Sequence, residues 1–238
     1  MKIRYNNHMT AKRKHRFTKR QKKQLILEVV VLILATIGAF TLIYLIGRGV
    51  AGVLSAKQEK KVVQEQPDLD VELLSINRYS RPGVALEQVN GIVIHYTANH
   101  GSTAKQNRDY FEGLKDSHET MACSHFIVGL EGEIVQCIPT AEVSYASNER
   151  NEDTIAIECC HFDETGEFTQ ETYDSLVELT AYLIGKFGLS TEQVIRHYDI
   201  TGKACPVYYV RHQDEWERFL QDVDDYIQKN GVVQKDST

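Results

Sequence analysis

The chain has 238 residues, a quarter of them charged, and a formal net charge of −6, which allows one domain of ordinary size plus appendages. Its five cysteines (Cys123, Cys137, Cys159, Cys160 and Cys205) follow no framework spacing and are odd in number, so at least one is unpaired; a disulfide among the first four stays open, but a domain of this size with so few cysteines does not need one. The charge is divided along the chain: the first 24 residues hold ten Lys or Arg and no acid, and taking that +10 from −6 leaves −16 for everything after them.

Like charge this dense cannot pack into a core, so residues 1–24 read as a disordered basic tail. From Leu25 to Ile46 follows "LILEVVVLILATIGAFTLIYLI", with Glu28 as its one charge. At 1.5 Å per residue a helix of this length crosses a ~30 Å hydrocarbon layer, which places a transmembrane helix at 25–47. Glu28 lies about one turn from the basic end, where it can reach the interface or pair with Lys22 or Lys23. The Lys/Arg excess before the span predicts a single-pass protein of the cell membrane with a cytoplasmic N-terminus and the rest of the chain outside. A cleaved signal peptide is the alternative, with Gly49 and Ala51 as small residues at −3 and −1, although the apolar run exceeds the ~7–15 residues of a signal core. A nucleic-acid role for the basic tail fails on placement: the tail abuts the span and the remainder is acidic. Nothing in the sequence sets the oligomeric state.

"SAKQEKKVVQEQPDLDVE", Ser55 to Glu72, is polar with little to bury, and residues 48–76 around it read as an extracytoplasmic stalk. The folded domain is expected over 77–231, with 232–238 as a C-terminal tail. "GIVIHY", Gly91 to Tyr96, looks like a strand buried on both faces. "STAKQNRDYFEGL" reads as a helix, with cap-type Ser102 and Thr103 before Tyr110, Phe111 and Leu114. "SHFIVGLEGEIVQCIP" reads as two strands joined by a turn at Glu131 and Gly132, and "DTIAIECC" as another buried strand. "TQETYDSLVELTAYLIGKFG" is a helix, with Thr169 to cap it, an apolar stripe from Leu176 to Ile184, and Gly188 at its stop. "EQVIRHY" is again a strand, and "DEWERFLQDVDDYIQKNG" a closing amphipathic helix. Interleaved strands and helices predict an α/β fold with a central, mixed, largely buried β-sheet flanked by helices.

Three of these strands end in His95, Glu158 and His197, and in open α/β sheets ligands gather at the carboxyl ends of strands. A lone strand histidine is more often a satisfied core residue; two of them, with Cys205 at the end of the following loop, point elsewhere. Zinc binds imidazole nitrogen and thiolate, and a catalytic site takes three protein ligands. His95, His197 and Cys205 supply three, and the seven residues between His197 and Cys205, Gly202 among them, are enough to turn the chain back.

"GIVIHYTAN", "SHFIVGLEGEIVQCIP", "TIAIE" and "RHYDITGKACP", in that order, closely resemble the zinc-dependent N-acetylmuramoyl-L-alanine amidases, which share a fold with peptidoglycan-recognition proteins and phage amidase-type lysozymes. The resemblance covers roughly Asn77 to Val223. It implies that His95, His197 and Cys205 hold Zn2+, that Glu158 serves as general base, and that the Lys203 ammonium faces the oxyanion. It implies as reaction the hydrolysis of the amide between N-acetylmuramic acid and the L-alanine of a peptidoglycan stem peptide, here by an enzyme anchored in the membrane and facing the cell wall. The alternative is a non-catalytic peptidoglycan-binding domain, against which retention of all five residues speaks.

Two positions depart from the family pattern: Ser124 stands where several relatives carry Tyr, and Ser144-Tyr145 where many carry Trp-His. Either Tyr145 substitutes, or Glu158 and Lys203 carry more of the task. Asp199 is open between an imidazole partner and a cap. His125 is read as a hydrogen-bonded strand residue or a substrate contact, and His161 as a possible wall of the cleft. Cys159 and Cys160, adjacent on a strand, face opposite ways and read as structural.

Overall fold

The computed structural model describes residues 18–54 and 60–234. The basic tail through residue 17, the linker 55–59 and the last four residues lie outside the described residues. The chain divides into two compact units, Met1–Gln58 and Glu59–Thr238.

The first unit is a helix, α1 (Lys19–Leu54). Within Lys19–Tyr44 an 18-residue window has a mean hydropathy of 2.6 and is not buried against protein, so the helix is long and apolar enough to cross a membrane. Gln24 Nε2 donates to Glu28 Oε1 at 3.4 Å.

The second unit is built on a six-stranded mixed sheet. Its strands are β2 (Asp70–Val71), β3 (Gly91–Tyr96), β4 (Phe126–Val128), β5 (Ile134–Gln136), β6 (Thr154–Cys159) and β7 (Val194–Arg196), in the order β2-β5-β4-β6-β3-β7. Only the β4–β5 hairpin is antiparallel. It turns at Gly132, whose φ of +85° suits glycine.

The helices are α2 (Ala104–Ser117), α3 (Gln170–Phe187), α4 (His197–Thr201), α5 (Val207–Arg211) and α6 (Gln213–Asn230). Thr103 caps α2 in a reciprocal capping box with Gln106, and Thr169 caps α3, which stops at Gly188 with φ +70°.

Side-chain alternation sorts the sheet into two cores. Ile92, Ile94, Phe126, Val128, Ile155, Ile157 and Cys159 pack with Leu176, Leu179 and Leu183 of α3 and with Trp216 and Phe219 of α6. On the other face Ile127, Val135, Cys137 and Cys160 pack with Ala104, Phe111 and Leu114 of α2. Cys159 and Cys160 thus belong to opposite layers, as strand geometry demands. All five cysteines are buried free thiols.

The stalk and tail boundaries differ from the sequence reading. Residues 60–76, assigned above to a stalk, belong to the domain, and so does part of 232–238. Strand β1 (Lys61–Val62) pairs antiparallel with β8 (Val232–Val233), Val62, Val63 and Leu74 are buried, and β2 forms the edge of the main sheet. This strap crosses α3 where the helix carries Gly185: a Cβ there would stand 2.5 Å from the Val63 carbonyl oxygen. Two-residue strands have no side-chain period, and backbone pairing leaves no mark on composition, so this segment reads as linker from sequence alone.

Candidate active site

The site forms where β6, β3 and β7 lie side by side. His95 and Glu158 are partners in the β3–β6 register, and Arg196 pairs with Ile94 across β3–β7, so His197 follows directly beside His95. Ile94, Ile157 and Cys159 point into the core beneath α3 and α6. By alternation His95 and Glu158 point to the α2 side, where Phe111 of α2 joins them in lining one cavity.

The stretch after β7 brings Cys205 back to this edge. Arg196 anchors it: its guanidinium donates to both carboxylate oxygens of Asp199, to the Tyr209 carbonyl and to Gln213 Oε1, and lies 5.3 Å over the Trp216 ring. Asp199 also accepts from Arg196 N at the start of α4. It is a cap and ion-pair partner, not an imidazole partner. Gly202, φ +76°, ends α4, and Tyr198 N donates to the Cys205 carbonyl at 2.9 Å, closing the loop.

His95, His197 and Cys205 are all buried, and their donor atoms lie within 4.8 Å of one another. Cys205 Sγ is 3.8 Å from His95 Nδ1, and the two imidazole centroids are 4.7 Å apart. A sulfur and a nitrogen on one tetrahedral zinc stand ~3.6 Å apart, given bonds of ~2.3 and ~2.0–2.1 Å. Each histidine has its Nε2 against an oxygen, His95 at Ser147 Oγ (3.3 Å) and His197 at Asn148 Oδ1 (2.8 Å). This donor set suits a metal ion.

The electrostatics agree. Burial holds His95 well below its ordinary pKa, and the neighbouring His197 and Lys203 lower it further. Burial, then Lys203, lowers His197. Burial pushes the Cys205 thiol up to about 12, with Glu158 adding to the effect. Burial pushes Glu158 up to about 8 against the opposing pull of Lys203. Burial therefore disfavours the charged form of all four groups. A divalent ion supplies the positive charge that would stabilise the thiolate.

The cavity encloses ≈ 220 Å³ and is lined by His95, His197, Cys205, Glu158, Lys203 and Tyr145, among others. Glu158 retains slight exposure as a residue. Its Oε2 is nevertheless closed to solvent and has no hydrogen-bond partner among the described residues, as is true of Thr97 Oγ1 in the same wall. A second hollow of ≈ 420 Å³, lined by Met121, Tyr145, Ala146, Asn148 and Asn151, shares Tyr145 and Ala146 with the first. The two hollows adjoin at these residues.

Other candidates have structural partners. His125 is fully buried, with Nε2 donating to the Glu142 carbonyl and Nδ1 accepting from Ala156 N, so both ring nitrogens serve the backbone. His161 packs 5.1 Å from the Tyr96 ring and bonds the Asp163 carbonyl through Nδ1. Ser124 Oγ donates to the Phe126 carbonyl. Ser147 and Asn148 were not identified from the sequence. They stand at the start of a single 3-10 turn, Asn148–Arg150, too short to carry a periodic signal, and only the fold carries them to the histidines.

Fold and site together define a mixed α/β domain with a buried His-His-Cys centre beside a carboxyl and an ammonium group. Residues 85–208 match the N-acetylmuramoyl-L-alanine amidase family, and the chain belongs to that family. It is similar to N-acetylmuramoyl-L-alanine amidase CwlL of Bacillus licheniformis, 34% identical over 178 residues that cover 69% of this chain and 49% of the relative. It is also similar to N-acetylmuramoyl-L-alanine amidase BlyA of Bacillus subtilis (strain 168), 30% identical over 167 residues, 61% of this chain and 44% of the relative. The chain thus spans about half the length of the curated relatives it matches. Among solved structures, the catalytic domain of XlyA superposes with a TM-score of 0.57 at 25% identity, covering 66% of this chain and 99% of that one.

Proposed function

We propose that this chain is a zinc-dependent N-acetylmuramoyl-L-alanine amidase that cleaves the amide between N-acetylmuramic acid and the first L-alanine of the peptidoglycan stem peptide. The observation that carries the reading is the convergence of His95, His197 and Cys205 on one point beside Glu158 Oε2, a buried carboxyl oxygen without a partner. Family membership and the names of the relatives support the substrate. A binding-only domain has no use for an unpartnered acid and an ammonium group in the same cavity.

His95 and His197, with the Cys205 thiolate, would hold the zinc. When bound, the ion supplies Lewis acidity to the scissile carbonyl and to the attacking water. Glu158 takes the proton of that water and returns it to the departing alanine nitrogen, which needs the proton because an amide anion is a very poor leaving group. Such general acid–base work contributes ~10²–10⁴-fold. Lys203, exposed on the loop between Gly202 and Cys205, places its ammonium at the cavity wall, where charge develops on the carbonyl oxygen. The hollow past Tyr145 accommodates the chain of the substrate on one side of the bond.

The apolar helix Lys19–Tyr44, preceded by the basic segment, supports a membrane tether with the domain outside facing the wall. An acidic domain is repelled by anionic wall polymers, so the tether would supply the proximity that charge does not. The same helix fits a signal sequence. The mass of the chain recovered from cells separates the two: retention of residues 1–51 supports the tether, and their loss refutes it.

The enzymatic reading is tested by digesting purified peptidoglycan with the full chain in detergent. The expected result is new N-terminal L-alanine with no new reducing sugar, abolished by chelator and restored by zinc. New reducing ends, or no product from zinc-loaded protein, refutes it.

A further inference from the structure

We infer that the loop Ser147–Asn151 is the device that sets which nitrogen of each histidine faces the metal, with Asn148 and Ser147 as positioning residues. The inference rests on the zinc reading above and extends it to residues outside the ligand set. Asn148 Oδ1 lies 2.8 Å from His197 Nε2. A carboxamide oxygen only accepts, so Nε2 carries the proton and Nδ1 keeps its lone pair for a metal. Ser147 Oγ lies 3.3 Å from His95 Nε2, and the opposite nitrogen, Nδ1, is the one that faces Cys205 Sγ. Asn148 thus fixes the His197 tautomer, and the Ser147 hydroxyl, which can donate or accept, holds the His95 ring with its Nδ1 towards Cys205.

The loop is built to hold that aim. Asn151 Oδ1 accepts from both Ala146 N (3.1 Å) and Ser147 N (2.7 Å), and Arg150 N and Asn151 N return to the Ser147 and Asn148 carbonyls. Asn148 adopts φ +52°, a left-handed conformation that asparagine tolerates better than most residues. Its side chain reaches the imidazole from this turn. Arg150 in turn bonds Asp153 through two nitrogens, at 2.7 and 2.9 Å, tying the loop to the start of β6. The hydroxyl of Ser147 and the carboxamide of Asn148 therefore arrive preset by hydrogen bonds that involve neither the metal nor the substrate. The same loop lines the outer hollow through Asn148 and Asn151, so metal orientation and the wall of that hollow share one segment.

Partners of this kind typically change metal affinity ~10–100-fold when removed. The test compares full-length wild type, Asn148→Gly and Asn148→Asp by zinc competition against a chromogenic chelator, together with the visible spectrum of the cobalt-substituted proteins. Glycine keeps the left-handed turn but deletes the acceptor; aspartate keeps both. The expected result is one zinc per wild-type chain, a ~10–100-fold weaker affinity and an altered cobalt spectrum for Asn148→Gly, and wild-type behaviour within ~3-fold for Asn148→Asp. Equal affinity of wild type and Asn148→Gly overturns the inference while leaving the zinc site intact. Equal losses in the glycine and aspartate variants also overturn it, because the acceptor is then irrelevant. A wild type that binds no zinc overturns the inference and the zinc reading together. Ser147→Ala, removing the longer contact, is expected to lose less affinity than Asn148→Gly, and the reverse order counts against the assignment.

Discussion

The raised pKa of Glu158 makes the metal-free protein's stability depend on pH in a way that Glu158→Gln should erase. Burial lifts this carboxyl from 4.5 to about 8, with Lys203 opposing. Between those values the unfolded chain has released the proton while the folded one keeps it, so the native state binds more protons and stability falls as pH rises. The contribution is fully present below pH ~4.5 and gone above pH ~8. At ~1.4 kcal/mol per pH unit the ceiling is ~5 kcal/mol, and water reaching the open cavity reduces it to a few kcal/mol. Glutamine has no proton to lose. The difference in unfolding free energy between chelator-treated wild type and Glu158→Gln should therefore shift by a few kcal/mol from pH 5 to pH 8, against the wild type. Depressed histidine pKa values act in the opposite direction below pH ~6.5, but they are common to both proteins and largely cancel in the difference. Urea unfolding followed by Trp216 fluorescence measures this directly, since Trp216 is the chain's one tryptophan and lies buried under the sheet. Parallel curves for the two proteins across this range, or a wild type that gains stability relative to the variant, would refute the argument.

Lys203→Ala should leave zinc content unchanged and lower kcat by ~10²–10³, the loss seen when one oxyanion donor is removed; loss of zinc in that variant would mean the ammonium is structural. His197→Ala should lose the metal outright, whereas Glu158→Gln should keep it and lose ~10²–10⁴ in turnover, so metal analysis alone separates their roles. Gly185→Ala should destabilise the domain by ~1–3 kcal/mol despite alanine's better helix propensity, because the new methyl meets the Val63 carbonyl at 2.5 Å. Amide exchange should then show the β1–β8 strap released with zinc affinity unaltered, and a more stable variant would contradict the packing.

What was legible in the sequence is what side-chain chemistry alone encodes. The Gly91–Tyr96 strand was readable because three aliphatics between a glycine and a histidine suit a strand buried on both faces, and the structure places it at those residues. Thr169 and Gly188 marked the ends of α3 for the same local reasons. Strand ends also drew together His95, Glu158 and His197, because parallel neighbours in one register put their carboxyl ends at one edge. Illegible were the features made by tertiary pairing. The strap at Lys61–Val62 and the edge strand at Asp70–Val71 exist through backbone hydrogen bonds that any polar sequence could supply. Asp199 could be read as an imidazole partner until Arg196 was seen to occupy both its oxygens. Ser147 and Asn148 lie about fifty residues from the histidines they meet, a distance that no local pattern bridges.

The claim beneath all of this is that two imidazoles and one thiolate of this chain share a single zinc with a coordination position left free of protein. X-ray absorption at the zinc edge of the full-length, zinc-loaded protein tests it most directly. The account predicts one sulfur at ~2.3 Å and two imidazole nitrogens at ~2.0–2.1 Å, with the sulfur signal lost in Cys205→Ala. A second sulfur, a third imidazole, or a spectrum unchanged by that substitution would contradict it.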